Sequence, residues 1–166
     1  EWQLGNGARV LPKPTDFRDD ELRLVARSPG GSSLVSDEDY LAALTASAVV
    51  QAGRIGKLSQ VELRKLLAGT VAGVGADVSE VHEGLSGAAS VRDMETLFQL
   101  VHLKFMAPRR DSLAIEAYRQ QARSTIGLRA ADPDQAFEGT LRAILSHHHP
   151  RPMPLAPADF DRLGSD

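Results

Sequence analysis

VAGVGADVS (residues 71–79), VHEGLSGA (81–88) and SVRDMETLFQLVHLKF (90–105) follow one another in the chain. The first two read as consecutive strands. Short apolar runs recur in them, and their glycines mark places where a strand twists or another backbone comes close. The third stretch changes period. Ser90 supplies a helix cap, and Met94, Leu97, Phe98, Val101 and Phe105 fall on one face of the helix that follows. The centre of the chain is therefore a strand pair followed at once by a helix with an apolar face to lay on it.

Working outward, Asn6-Gly7 between Trp2/Leu4 and Val10/Leu11 is a hairpin signal, ended by Pro12 and Pro14. Glu21 to Ser28 alternates, with Leu22, Leu24 and Ala26 on one face and Arg23 and Arg27 on the other, as a half-buried strand does. A glycine-rich loop follows. Ser36 then opens a helix with Asp37, Glu38 and Asp39 in its first turn, running to Gly53. Ser59 and Glu62 form a capping box for a short helix that stops at Gly69.

Pro108 breaks the 90–105 helix, and another runs from about Asp111 to Ile126. Asp132-Pro133 starts a last long helix with Phe137, Leu141, Ile144 and Leu145 as its expected core stripe. Four prolines between residues 150 and 157 lead to a helix-like stretch, Ala158 to Leu163. Strands and helices come in separate runs. The fold class is α+β, an antiparallel or mixed sheet covered by helices on one face.

Length and composition bound the function. The 166 residues suit one domain, and 42% hydrophobic with 25% charged residues is the globular range. A net charge of −3 gives no electrostatic reason for nucleic acid as a partner, and 5% aromatics give no base-stacking platform. The longest uncharged run, between Asp39 and Arg54, is shorter than the ~20 residues of a membrane span. With no cysteine, thiol nucleophiles and thiolate metal sites are excluded.

Five histidines are the first place to look for chemistry. His147-His148-His149 read as a solvated loop before Pro150, because consecutive side chains diverge on a helix and no acid is spaced to complete a zinc set. His82 and Glu83 fall on opposite faces of a strand, and His102 sits beside an apolar helix face. The glycines of residues 69–75 run into a strand rather than a helix N-terminus, so they do not form a phosphate cradle. Nothing in the sequence brings its Ser, Asp and His residues together. Arg109-Arg110-Asp111 reads as an exposed, salt-bridged helix start or as a contact surface for a partner.

Several segments in order resemble bacterial zinc proteases of the insulinase (pitrilysin-like) family. They are WQLGNGARV (2–10), KPTDF (13–17), GGSS (30–33), LRKLLAG (63–69), EGLSG (83–87) and, most specifically, DMETLFQL (93–100) leading to FMAPRRD (105–111). The resemblance implies repeated α+β domains in two halves around a closed chamber, with zinc held by an inverted His-x-x-Glu-His motif on the helix after the second strand. Here that helix reads DEDYLAALTA (37–46) and contains no histidine.

The resemblance therefore implies a non-catalytic repeat over residues 1–166, without its own zinc or other cofactor and with no catalytic residues; zinc belongs to a sister catalytic domain. That domain, in the same polypeptide or a paired subunit, is the expected partner, together with peptide substrate in a shared chamber. Gly73, Gly75, Gly84 and Gly87 are candidates for backbone contact with an extended peptide or, equally, packing devices, and Arg109 and Arg110 are candidate partner contacts. Bacterial relatives suggest the periplasm. The resemblance also implies a final strand and helix beyond Asp166, and hence self-association through an uncovered edge. A stand-alone scaffold that has left proteolysis is the alternative.

Overall fold

Two residues on each side of the Asn6-Gly7 turn realise the hairpin signal: β1 (Trp2–Gln3) pairs antiparallel with β2 (Arg9–Val10), and Gly7 takes φ 85°. This ribbon forms its own small sheet. The computed structural model describes residues 1–109 and 111–163.

The alternating stretch becomes β3 (Glu21–Pro29). Its partner is not the N-terminal hairpin but a strand some sixty residues on. The helix expected from Ser36 begins instead at Tyr40, as α1 (Tyr40–Ala52). The Ser36 hydroxyl accepts from the Asp39 amide at 3.2 Å and closes a turn ahead of the helix. Asp37, Glu38 and Asp39 thus precede α1 rather than forming its first turn.

A two-residue strand that the sequence does not announce, β4 (Arg54–Ile55), follows α1. The Ser59–Glu62 capping box is present in full at α2 (Gln60–Leu66). β5 (Ala72–Val78) and β6 (His82–Ser90) are the central strand pair. β6 lies in the middle of the principal sheet, which is antiparallel throughout in the order β3–β6–β5. Register puts Leu22, Ala89 and Ala72 in one row, Leu24, Gly87 and Val74 in the next, and Ala26, Leu85 and Ala76 in a third. Side chains two apart share a face, so these rows make the covered side of the sheet.

Over that side lies α3 (Met94–Met106), entered through one 3₁₀ turn at Val91–Asp93. Ser90 caps the turn by accepting from the Asp93 amide. Asp93 Oδ2 then accepts from the Ser90 hydroxyl at 2.6 Å and from the Val71 amide at 2.9 Å, fastening the start of α3 to the entrance of β5. These bonds hold the Asp93 carboxyl below the usual carboxylate range, the Ser90 hydroxyl contributing most.

The buried stripe of α3 differs from the expected one. Leu97 (0% exposed), Leu100 (5%) and Lys104 (7%) face inward, whereas Phe98 (50%) and Phe105 (63%) face out. Each residue turns about 100° around the axis, so placing Leu97 over the sheet swings Phe98 away from it. The spoke at Leu97 is fixed by Gly87: a Cβ there would meet Leu97 Cδ1 at 2.9 Å and the Gly73 carbonyl at 2.7 Å. Helix and central strand thus approach to a distance that only glycine permits.

After α3, β7 (Pro108–Arg109) pairs with β4, Ile55 opposite Pro108. Asp111 caps α4 (Ser112–Ala130), and its Oδ2 also accepts from Arg54 Nε at 2.8 Å. Asp132 and Pro133 open α5 (Pro133–Leu145) as the sequence indicates. Its apolar stripe, however, is not core: Phe137, Ile144 and Leu145 are exposed, and Leu141 is half-exposed. The chain returns over the Gly139 side instead, where a Cβ would lie 3.0 Å from Pro154 Cγ.

Residues 157–163 dock on α4. A 3₁₀ helix, Pro157–Arg162, buries Phe160, and Leu163 is buried beside it. Arg119 of α4 donates to the Phe160 carbonyl at 3.0 Å. Farther back, Arg151 donates to Asp37 Oδ1 (2.7 Å), the Ser32 carbonyl (3.1 Å) and the Val35 carbonyl (2.6 Å), with its guanidinium 5.1 Å from the Tyr40 ring centre. The outer edges of β3 and β5 carry no further strand among the described residues.

Leu97→Ala removes the one large side chain that is fully buried among the described residues and leaves a void that Gly87 cannot fill. A loss of about 2–5 kcal/mol is expected, with little change in the denaturant slope. Chemical unfolding of the two proteins side by side measures it. A shift under about 0.5 kcal/mol, the range of ordinary surface substitutions, would show that this contact does not organise the core.

Candidate functional site

The sequence-derived contact residues separate into two groups in the structure. Gly73 and Gly75 of β5 have open space where a side chain would stand. Both alternate with the covered rows, so they lie on the sheet face turned away from the helices. Gly84 and Gly87 are packing positions. A Cβ on Gly84 would meet the Ala26 backbone, and Gly87 lies under Leu97. Arg109 sits in β7, away from these glycines in the sheet order, its backbone paired with Arg54. Arg110 lies outside the described residues.

α1 occupies the place where the resemblance puts metal ligands. Its inward residue is Thr45, whose hydroxyl donates back to the Leu41 carbonyl at 2.9 Å. His147 and His148 take left-handed backbone at φ 50° and 58°, forming an exposed turn after α5. His102 is exposed on α3.

One cluster corrects the reading that nothing brings Ser, Asp and His together. At the β5–β6 turn, Ser79 Oγ lies 2.8 Å from His82 Nδ1, and Asp77 Oδ2 lies 3.7 Å from His82 Nε2. The spacing Asp-x-Ser-x-x-His across a two-residue turn was the available signal. Its chemistry is closure rather than nucleophilic attack. Ser79 Oγ also accepts from the His82 amide and lies 2.9 Å from the His82 carbonyl, so its bonds are spent within the turn. The Ser79 and Glu80 carbonyls are taken in turn by the amides of Ser32 and Ser33. Gly31, at φ 84°, permits that approach, since a Cβ there would sit 2.3 Å from the Ser79 carbonyl oxygen.

The other site is a half-open cavity of about 120 Å³ enclosed by α1, α2, α3 and β5. Ile55, Leu63, Leu67, Val74 and Leu100 give it an apolar wall. Its polar groups are Gln51, Gln60 and Lys104. Lys104 Nζ donates to Gln51 Oε1 at 2.8 Å, and Gln60 Nε2 donates to the Gly53 carbonyl at 3.1 Å. Among the described residues none that lines it is acidic, so the ammonium is taken out of water against a neutral amide. Burial pushes its pKa below the usual lysine value. The sequence hides this site, because Lys104 reads as the basic residue that belongs in a last helical turn.

Lys104→Met keeps the length of the apolar stem and removes the buried ammonium. It is expected to raise stability by on the order of 1 kcal/mol at pH 7. The sign with pH follows from the lowered native value. Between that value and the unfolded lysine value of about 10.4 the unfolded chain holds more protons, so the burial penalty fades as pH rises through this window. The gap between the two proteins, measured by denaturant unfolding, therefore narrows towards alkaline pH. A gap that widens there would contradict the assignment.

No protein-family model matches the sequence, and no curated protein sequence does. Solved structures do. The periplasmic protease PqqL from Escherichia coli superposes with a TM-score of 0.79 at 18% identity, over 98% of this chain and 18% of that one. The ferredoxin protease FusC, in complex with Arabidopsis ferredoxin, superposes with a TM-score of 0.74 at 20% identity, again over 98% of this chain and 18% of the other. The chain thus spans less than a fifth of each of these proteins. Both are proteases of the insulinase (pitrilysin-like) zinc type, and the fold of this chain, with its antiparallel sheet and covering helices, is a fold that they contain.

Proposed function

We propose that the chain is a non-catalytic domain of a bacterial zinc metalloendopeptidase of the insulinase type, forming part of the wall of a substrate-enclosing chamber and supporting the catalytic domain. The observation that carries this reading is the unequal coverage: nearly all of this chain matches less than a fifth of each neighbouring protease. A fold that is one piece of a longer protease suits a supporting role, and it agrees with the order of resembling segments along the sequence.

Three features give the role a physical form. The helix at the expected ligand position offers Tyr40, alanines, leucines and Thr45 rather than imidazoles. Gly73 and Gly75 leave an unencumbered strip on the open sheet face along an edge strand, where an extended peptide can pair with backbone. The exposed stripe Phe137, Leu141, Ile144 and Leu145 presents an apolar helix face to a neighbouring domain or subunit. Arg109, exposed in β7, is a further residue for this partner-facing role. Zinc is carried by the sister domain, and PqqL suggests a periplasmic home.

The test uses the chain alone and together with the histidine-bearing domain of its parent protein. The chain alone is expected to hold less than about one-tenth equivalent of zinc after dialysis and to cleave no peptide, because tight zinc binding needs a preformed set of three or four ligands. Peptidase activity returns when the sister domain is added. Chelator-sensitive cleavage by the chain alone, with stoichiometric zinc, would overturn the reading.

A further inference from the structure

The cavity at Lys104 is a built site that shares only the Gly73 backbone with the chamber reading. A cation 7% exposed on the inward side of α3 meets a pocket whose other walls are aliphatic side chains and two amides. An ammonium has three donors, and among the described residues Gln51 takes one. Desolvated cations in proteins are normally matched by an anion. Among the described residues the lining holds no matching group, while the space for one is present. A volume near 120 Å³ compares with the roughly 150 Å³ of an apolar cavity that admits benzene, so a group of a few heavy atoms fits.

We infer that this cavity binds a carboxylate on a short aliphatic stem, the carboxylate pairing with Lys104 Nζ and the stem lying against Ile55, Leu63, Leu67 and Leu100. The geometry selects on both ends. A free inorganic anion finds the ammonium but leaves the aliphatic wall bare. A neutral alcohol of the same length fills the wall but leaves the ammonium uncompensated. Gln60, whose amide nitrogen is engaged with the Gly53 carbonyl, keeps its Oε1 side of the pocket polar. The carboxylate has two possible sources with one chemistry, a free short-chain acid or a glutamate side chain from another protein segment.

Methyl-resolved NMR of the full chain at constant ionic strength tests this with butyrate, 1-butanol, and N-acetylglutamate amide as the glutamate mimic. Saturable shifts at the Ile55, Leu63, Leu67 and Leu100 methyls are expected with butyrate and not with 1-butanol. Lys104→Met is expected to weaken butyrate about tenfold or more, as loss of a charge-assisted bond requires. Gln51→Leu keeps the cation, removes its one partner, and is expected to bind butyrate at least as tightly as the parent chain. It also keeps the test decisive if Lys104→Met fails to fold. Binding of butyrate alone marks a free acid as the occupant, whereas binding of the glutamate mimic marks a protein segment. Equal responses to butyrate and butanol, unchanged butyrate affinity in Lys104→Met, weakened affinity in Gln51→Leu, or no binding by either carboxylate would each overturn the inference.

Discussion

The contact between Leu97 and the Gly87 backbone is the constraint on which the other positions depend. With no Cβ on Gly87, α3 can settle close enough to the middle strand for Leu97 to be fully excluded from water. Close packing of this kind is sensitive to a single methyl group. Once Leu97 is fixed, the pitch of the helix determines the rest of its inward face, which places Leu100 and then Lys104 under the sheet and turns Phe98 and Phe105 outward. The Asp93 carboxylate sets the phase at the start of the helix by tying it to the first residue before β5. One glycine and one aspartate therefore decide which side chains of α3 are core.

Around this centre the chain is held by polar clamps that reach across long sequence separations. Arg151 bonds to Asp37 and to two backbone carbonyls of the segment before α1, so the proline-rich stretch is anchored to the β3–α1 connection. Arg54 and Asp111 close the short β4–β7 ribbon in the same way. Multiple charge-assisted bonds to fixed carbonyls are stronger than exposed ion pairs, which contribute little. The helical glycines serve packing too, with Gly139 giving room to Pro154.

A protein rarely keeps an unmatched buried cation without a use for it. Burial holds the Lys104 pKa below the usual lysine value, and the aliphatic cavity beside it has the size and polarity for a matching group. The same physics separates this site from the Ser79–His82 cluster, where the Ser79 hydroxyl already has its partners within its own turn.

Local chemistry was legible in the sequence. The Ser59–Glu62 capping box, the Ser90 and Asp132 caps and Pro133 at a helix start follow from bonds within a few residues, the alternation of residues 21–28 and the paired strands before α3 follow from local pattern, and the structure has each of them. The α+β class followed from their order. Three things depended on tertiary structure. The partner of β3 and the β4–β7 ribbon are set by contacts between segments far apart in sequence. The rotation of α3 was decided by Gly87, a residue that reads as a strand glycine until a helix is laid on it. The fate of α5 was decided by what packs on it: its stripe has the period of a core helix, but Pro154 meets the Gly139 side, and the apolar face stays in water. Periodicity fixes which residues share a face, and only the neighbours fix where that face points.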